Sequence, residues 1–334
     1  MTKSSMAVIV VNWNSDQYLE KCLDALICQT VLPSRIIVFD NKSNSFDVKL
    51  WEKQFPSVEF HPLVKNIGFA AASNMGATIA SDCQWLAFLN PDAFPELNWI
   101  EILVNAIYAN PEFNFFSSLI VSDLKPNLID GAGEVYHSCG LAWRRDHLTQ
   151  LVDFAMEKEE VFGACGGAAL ISRKAFMDAG GYDESFFCYF EDVDLSFRLR
   201  LLGGHCLFLP EAKVRHVGNG STSQWSDFAV YYGHRNMILT YFKNMPGFLF
   251  WYYLPQHLLL NLFSLLWCAK RGQGRVVLRS KWDAIKNLPT IYKARKSIQK
   301  RKIVSTSLIN KMLSRCFTKH HHLNNLKINK KKCQ

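Results

Sequence analysis

Apolar runs alternate with amphipathic stretches along the first third of the chain. The runs at 6–11 (MAVIVV), 35–39 (RIIVF) and 84–89 (QWLAFL) are unbroken, which predicts buried parallel strands, and a weaker strand is predicted over 58–61. Apolar residues recur at helical spacing over 16–28 and 99–109, and 66–80 predicts a loop that enters a helix of small residues. This order of strands and helices predicts a doubly wound, mostly parallel α/β layer.

Polar residues follow three of these strands. Asn12 comes after the first, Asp40 ends the second, and Asn90-Pro91-Asp92 follows the run at 84–89. Ligands of such sheets bind at the carboxyl ends of the strands. We therefore expect these side chains to meet at one sheet edge.

The second half of the chain contains its most apolar stretch, 248–268 (FLFWYYLPQHLLLNLFSLLWC). Before it, 192–202 predicts a helix that ends at Gly203 and Gly204, and 205–210 predicts a short strand. The apolar stretch is long enough to span a bilayer and rich in Trp and Tyr, but Pro255, Gln256 and other polar residues interrupt it. We expect a membrane-seated helix pair or a re-entrant hairpin. A true span and a buried helix of a globular protein are the alternatives.

The charge is divided unevenly between the two ends of the chain. The 65 residues from Lys270 onward contain 19 Lys and Arg but one acid, Asp283, a net charge of +18, whereas the preceding residues carry 19 basic and 28 acidic residues, a net of −9. Such a segment suits anionic lipid, acidic partners or nucleic acid. Its position after a Trp- and Tyr-rich stretch favours an anionic membrane surface over nucleic acid.

Composition narrows the class of protein further. Hydrophobic residues make up 49% of the 334 positions, too many for a disordered chain. The ten cysteines form no CxxC pair, and the first strand starts almost at Met1, with no signal-peptide pattern before it. We expect reduced thiols and a cytoplasmic catalytic domain over 1–245, a membrane-associating segment over 246–269, and a basic, partly disordered tail over 270–334.

Three short segments carry groups suited to chemistry. Asp92, in the Asn90–Asp92 segment, could hold a divalent cation against phosphate oxygens, or the segment could be a simple Asx-Pro turn. Glu191 and Asp192 begin a predicted helix, where one could act as a general base and the other orient it, or both could serve as helix-capping acids. His216, followed by glycines, could ligate a metal or be structural.

Together these segments resemble the family 2 inverting glycosyltransferases, in particular a rhamnosyltransferase-like subgroup. Eight pieces occur in family order over roughly residues 6–246. They are VIVVNWNSDQYLEKCLDAL from Val8, FDN from Phe39, NIGFAAASNMG from Asn66, LNPDA from Leu89, GACGGAALISR from Gly163, FFCYFEDVDLSFRLRLLG from Phe186, RHVGNGST from Arg215 and YYGHRNMILTYFKNMP from Tyr231. The resemblance implies a GT-A fold, a nucleotide-sugar donor such as a dTDP- or UDP-sugar, and Mg²⁺ or Mn²⁺.

The resemblance also implies roles for individual residues. Asn12 and Asp40 would line the nucleoside pocket, Asn66 and Gly68 would lie beside the base and ribose, and Gly166 and Gly167 would line the sugar and acceptor region. Asn90 to Asp92 occupies the family's DxD position with Asn in place of the first Asp. Asp92 and His216 would serve the metal site, and Asp192 would be the base, with Glu191 near the acceptor.

The function implied is transfer of a sugar, with L-rhamnose from dTDP-rhamnose as the leading candidate, to a saccharide acceptor. The acceptor would be a polyprenyl-linked glycan or a growing surface polysaccharide at the cytoplasmic face of the cell membrane. A nucleotidyltransferase would show a basic, glycine-rich loop after the first strand, and Asn12-Trp13-Asn14 is neither. The other alternative is a non-catalytic nucleotide-sugar-binding or scaffolding protein, against which Asp92, Asp192 and His216 argue.

Overall fold

The computed structural model describes residues 5–151, 156–218 and 225–317. Within these ranges the strands are β1 Met6–Asn12, β2 Arg35–Asp40, β3 Glu59–Pro62, β4 Trp85–Leu89, β5 Ala93–Pro95, β6 Phe115–Ser122, β7 Ile129–Gly131, β8 Glu134–Tyr136, β9 Ala142–Arg144, β10 Glu159–Val161, β11 Ala168–Ser172 and β12 Cys206–His216. The helices are α1 Asp16–Ile27, α2 Val48–Gln54, α3 Gly68–Ile79, α4 Trp99–Ala109, α5 Arg173–Ala179, α6 Glu191–Leu201, α7 Asp227–Asn244, α8 Gly247–Lys270, α9 Gly274–Arg301 and α10 Thr306–Met312.

The elements predicted from periodicity are confirmed. The four predicted strands are β1 to β4, and the helices predicted over 16–28, 99–109 and 192–202 are α1, α4 and α6, with ends shifted by one or two residues at most. The strand predicted over 205–210 continues to His216 as β12. The strands β5 and β7 to β10 were not predicted, because three residues are too few to show a period. The eight-residue strand β6 was also not predicted.

Ten strands of the described chain form one sheet in the order β10-β12-β6-β11-β4-β1-β2-β3, with β5 and β7 paired at its side. Strands β3, β2, β1 and β4 are parallel, and β11 runs antiparallel between β4 and β6. Strand β12 is again parallel to β6. The carboxyl ends of β1, β2, β4, β6 and β12 therefore lie on the same edge.

Helices cover both faces of this sheet. In β1 the residues Met6, Val8 and Val10 belong to one buried cluster and Ala7, Ile9 and Val11 to another, as the two-residue period of a strand requires. The first cluster includes α1 and α4, and the second includes α3 and α5. A doubly wound α/β fold is thus confirmed.

Four helices follow the sheet. Helix α9 packs on α7, where Tyr231 Oη donates to Asp283 at 2.8 Å and Arg295 donates to the carbonyl oxygen of Phe242 at 3.0 Å. The segment predicted as a basic tail thus contains α9 and α10, and its lysine-rich end, 318–334, lies outside the described residues. Among the helices described, α8 included, none is long and apolar enough to cross a membrane.

Candidate active site

The residues predicted from the sequence lie along the carboxyl edge of the sheet. Asn12 and Asp40 end β1 and β2, Asn90 follows β4, and His216 ends β12. Strand β11 begins at the same edge because it is antiparallel to β4, and the amide of Asn90 donates to the carbonyl oxygen of Gly167 at 3.1 Å. The fold therefore joins segments that are more than 120 residues apart in sequence.

The side chains of Asn12 and Asp40 are buried and bonded to each other. Asn12 Nδ2 donates to Asp40 Oδ1 at 2.9 Å, and Asp40 also accepts from the amide of Ser43 at 2.9 Å and from its hydroxyl at 2.5 Å. Asn12 Oδ1 is buried with no hydrogen-bond partner among the described residues. An acceptor atom is thus held at the point where a nucleoside pocket is predicted.

Asn66 and Gly68 shape the start of α3. Asn66 Oδ1 accepts from the amide of Gly68 at 2.8 Å, and Gly68 has a φ of +87° that side chains rarely adopt. A Cβ on Gly68 would lie 2.6 Å from the carbonyl oxygen of Phe187, which accepts from the amide of Ala70 at 3.2 Å. The structure therefore places Gly68 against the segment that precedes α6, with Asn66 bonded to Gly68, and the predicted contact of both with base and ribose stays a prediction.

Asn90, Asp92 and His216 come together as predicted for a metal site. His216 Nε2 is 3.2 Å from Asp92 Oδ1 and 3.4 Å from Asn90 Nδ2. Two ligands of one Mg²⁺ or Mn²⁺ ion at about 2.1 Å and a right angle would lie ~3 Å apart, so the Asp92–His216 pair fits one edge of a coordination shell. No group of three or more His, Cys, Asp and Glu that could hold a metal occurs in the described ranges, so a bound ion would need further oxygens from the donor diphosphate.

Asp130, which was not predicted, lies behind His216. Asp130 Oδ2 is 2.8 Å from His216 Nδ1, and it also pairs with Arg144. A carboxylate on the second ring nitrogen is the arrangement that orients metal-binding histidines. Burial by itself would lower the pKa of His216, but hydrogen bonds with Asp130 and Asp92 outweigh burial and raise this pKa to about 9.

Asp192 meets the glycine segment between β10 and β11. The amide of Gly166 donates to Asp192 Oδ2 at 2.9 Å, and a Cβ on Gly166 would lie 2.8 Å from that oxygen. Gly167 lies next to Asn90 through the backbone bond described above. The predicted base and the predicted metal site are thus connected by two glycines, and a side chain at Gly166 would collide with Asp192.

The three acids at the start of α6 have different surroundings. Asp194 is fully buried and bonded to Arg198 at 2.7 Å, Lys243 at 2.8 Å and Asn244 at 2.7 Å, so it ties α6 to α7. Glu191 is buried, and burial followed by the charge of Asp192 raises its pKa well above the ordinary value. Asp192 is the partly exposed member of the three.

Glu134, another residue that was not predicted, lies beside Asp192. Its side chain is buried, with Oε2 lacking a hydrogen-bond partner among the described residues, and its backbone amide donates to the carbonyl oxygen of Gly163 at 2.9 Å. Burial and the negative charge of Asp192 raise the pKa of Glu134 well above 4.5. A protonated Glu134 can donate a hydrogen bond to an ionised Asp192 and so position that carboxylate.

The segment before α6 has an unusual backbone that α7 stabilises. Phe187, Tyr189 and Phe190 all have φ between 64° and 68°. Asn236 Nδ2 donates to three carbonyl oxygens of this segment, those of Phe186, Cys188 and Tyr189, at 2.7–3.0 Å. Strained backbone that persists under such bonding is typical of ligand-binding segments. The Phe187 ring stacks on Tyr232 at 5.3 Å, an aromatic surface of the kind on which sugar rings pack.

Asp130, Glu134 and Asn236 were missed because each acts through tertiary contacts. The available signal for the first two was the sequence IDGAGEVY at 129–136, in which two acids flank a Gly-Ala-Gly turn between very short strands. For Asn236 the available signal was a row of polar residues at helical spacing in α7, Asn236, Thr240, Lys243 and Asn244, all of which are buried.

Comparison with known proteins agrees with this arrangement. The family model described as Glycosyl transferase family 2 matches residues 7–180. The N-acetylglucosaminyl-diphospho-decaprenol L-rhamnosyltransferase of Mycobacterium tuberculosis (strain CDC 1551) is 27% identical over 243 residues, which is 66% of this chain and 78% of that protein.

Solved structures share the fold. The chain is similar to GalNAc-T7 crystallised with UDP, GalNAc and Mn²⁺, with a TM-score of 0.59 and 21% identity over 72% of this chain and 48% of that one. It is also similar to a mannosyltransferase from Pyrobaculum calidifontis in complex with GDP-Man and Mn²⁺, with a TM-score of 0.53 and 14% identity over 90% and 84% of the chains. The predicted GT-A fold is confirmed, and the chain belongs to the family 2 glycosyltransferases.

Proposed function

We propose that this glycosyltransferase inverts the anomeric centre of its donor in a single displacement, with Asp192 as the general base. The observation that carries the proposal is the contact between Asp192 and Gly166, because Gly167 adjoins Asn90 of the proposed diphosphate site. A partly exposed carboxylate close to the position proposed for the leaving group supports this role.

In this reaction an acceptor hydroxyl attacks the anomeric carbon. The new bond joins the acceptor oxygen to that carbon, the bond from carbon to the diphosphate oxygen breaks, and the proton passes to Asp192. Glu134 and Glu191, both buried next to Asp192, would hold protons of their own and so would leave Asp192 as the base. A covalent intermediate is not required, since one displacement gives inversion.

Asp92 and His216 would hold the divalent cation, Mg²⁺ or Mn²⁺, and Asp130 would orient His216. When bound, such an ion offsets the charge that develops on the leaving diphosphate. The protein would supply only two ligands to the metal, one carboxylate and one imidazole. The Asn at position 90 stands where the family's DxD pattern would add a second acid. We therefore expect the metal to bind weakly until the donor is present.

We further propose L-rhamnose as the sugar and dTDP-L-rhamnose as the donor, with UDP-hexoses second. The similarity to the mycobacterial L-rhamnosyltransferase supports this choice, and the name of that relative describes an acceptor on a polyprenyl diphosphate. By the same support we propose a polyprenyl-linked or surface glycan as the acceptor, and the cytoplasmic face of the cell membrane as the location.

A panel of nucleotide sugars tests the donor. The protein is heated with each sugar in the presence of Mg²⁺ or Mn²⁺, and a ligand that binds the folded state raises the melting temperature. The sugar that gives the largest shift is then offered with N-acetylglucosaminyl-diphospho-polyprenol, and the product is identified by mass spectrometry. Stabilisation and transfer with UDP-hexoses but not with dTDP-rhamnose would refute the proposed donor.

A further inference from the structure

Helix α8 has His257, Asn261 and Ser264 on the side that packs against the protein, while Gln256 is exposed but still hydrogen-bonded. His257 Nδ1 is 2.8 Å from the carbonyl oxygen of Cys139, and Ser138 donates to Gln256 at 3.1 Å. Asn261 accepts from Lys281 of α9 at 2.6 Å. The polar residues that interrupt the apolar run are therefore used in contacts within the protein.

The outward side of α8 is apolar from Phe248 to Trp267 apart from the exposed Gln256. Nine large side chains there expose 50–69% of their surface, and they are Phe248, Trp251, Tyr252, Leu258, Leu259, Leu262, Phe263, Leu266 and Trp267. No Asp, Glu, Lys or Arg occurs from 247 to 269. At ~100 Å² for each side chain the exposed apolar area is roughly 900 Å², larger than the few hundred Å² that is usual for a patch on a monomeric protein.

Helix α9 also has an exposed apolar stripe, and it adds positive charge. Leu278, Trp282, Ile285 and Tyr292 recur at helical spacing and expose 53–59% of their surface. Exposed basic residues flank this stripe. Arg279, Lys286 and Lys293 each follow one of its apolar residues in sequence, and Arg275 lies one turn before Leu278. An apolar stripe flanked by cations fits a lipid surface with anionic head groups.

We propose that the outward sides of α8 and α9, here called the α8–α9 face, bind an anionic membrane surface with both helices lying in its plane. The absence of a spanning helix from the described ranges and the polar inner side of α8 both fit a helix pair that lies on the bilayer. Trp251, Tyr252 and Trp267 suit the depth of the head groups. This inference rests on the proposed membrane-borne acceptor, and it adds the surface by which the enzyme is held near it.

The α8–α9 face is attached to the site through α7. Tyr231 and Phe242 of α7 bond to α9, while Asn236 of the same helix holds the backbone of the segment before α6. A helix of 18 residues is ~27 Å long, so the contacts of α7 with α9 and with that segment lie within one such length of each other. An acceptor whose lipid lies in the same membrane would be presented within that reach.

Flotation of the full chain with liposomes tests the inference. We expect wild type to float with phosphatidylglycerol-containing vesicles and at least about tenfold less with pure phosphatidylcholine. Leu262→Asp with Phe263→Asp should reduce flotation at least about tenfold, because both side chains are exposed and their replacement places charge in the lipid. Arg275→Glu with Lys293→Glu should remove the preference for anionic vesicles.

The matched control is Leu50→Asp with Leu124→Asp, which adds two charges at exposed leucines outside the α8–α9 face and should float like wild type. Equal flotation of wild type and Leu262→Asp/Phe263→Asp would overturn the inference. The inference would also be overturned if neither protein floated and sedimentation showed that wild type is a dimer and Leu262→Asp/Phe263→Asp a monomer. The face would then be a contact between two copies of the chain. Transfer to a water-soluble acceptor is measured in parallel and should be the same in Leu262→Asp/Phe263→Asp as in wild type. If wild type itself transfers no sugar, the proposed function fails, and this outcome is separate from the result of flotation.

Discussion

Asp192 and Asp194 lie two positions apart in α6, and we expect their replacement by Asn to affect different properties. Asp192→Asn should lower the rate of transfer, whereas Asp194→Asn should lower the stability of the fold. The side chain introduced by Asp192→Asn would keep an oxygen that accepts from the amide of Gly166, so the fold should lose less than about 1 kcal/mol. Loss of a general base lowers the rate about 10²- to 10⁴-fold, which raises the activation free energy by about 2.7–5.5 kcal/mol.

Asp194→Asn should instead destabilise the protein. It removes a buried charge from between Arg198 and Lys243, a change that costs about 3–5 kcal/mol in buried pairs. Lys243 keeps Asp183 at 2.5 Å, and Arg198 keeps two carbonyl acceptors at 2.6 Å, so the lower end is expected. At ~2 °C per kcal/mol the melting temperature should fall by about 6 °C.

Three measurements on each variant separate these roles. Initial rates with saturating donor and acceptor give kcat, calorimetry gives the donor Kd, and a thermal scan gives Tm. For Asp192→Asn we expect a loss of kcat with Kd within about twofold of wild type, and for Asp194→Asn a lower Tm. If Asp192→Asn retains more than about a tenth of kcat, or if its Tm falls as far as that of Asp194→Asn, the assignment of Asp192 as the base is refuted.

The site supports three further predictions. Because burial raises the pKa of Glu134, the folded state holds a proton that the unfolded chain loses above about pH 4.5, so stability falls as pH rises through that window. The side chain introduced by Glu134→Gln cannot ionise, so the Tm of this variant minus that of wild type should increase between pH 5 and pH 8. A Tm difference that stays constant over this range would contradict a buried neutral Glu134. Chelation by EDTA should abolish transfer, and Asp92→Asn should raise the Mn²⁺ concentration for half-maximal rate about 10-fold or more, whereas an undiminished rate in EDTA would contradict the metal site. Gly68→Ala should cost about 2 kcal/mol or more and slow transfer, since its Cβ would meet Phe187, while Gly180→Ala, with a similar φ of +86° and open space, should cost about 1 kcal/mol without changing the rate. Equal losses in the two glycine variants would show that the contact with Phe187 is unimportant.

Much of the fold and part of the site could be predicted from the sequence. The runs that became β1, β2 and β4 are buried on both sides, and such strands show as unbroken apolar runs. The polar residues after them lie at one edge because parallel strands end together, which is why Asn12, Asp40 and Asn90 were found. Asp92 and His216 were found as single residues, and their 3.2 Å contact depends on the pairing of β12 with β5.

The remaining features depend on contacts that no local pattern records. Asp130 and Glu134 lie on very short strands, and their importance comes from His216 and Asp192, which are more than 50 residues away in sequence. The residue pattern alone also left open which of Glu191 and Asp192 is the base, because the difference in burial between these neighbouring acids arises only in the folded protein.

Helix α8 shows the same division most clearly. The sequence by itself determined that 248–268 is a long apolar stretch, rich in Trp and Tyr, with a few polar residues inside it. The tertiary structure decided which side of the helix those polar residues occupy, since His257 and Asn261 bond to Cys139 and Lys281, which are distant in sequence. Periodicity reports that a helix has two sides, but the side that faces the protein is set by the partners available there, and here those partners are polar.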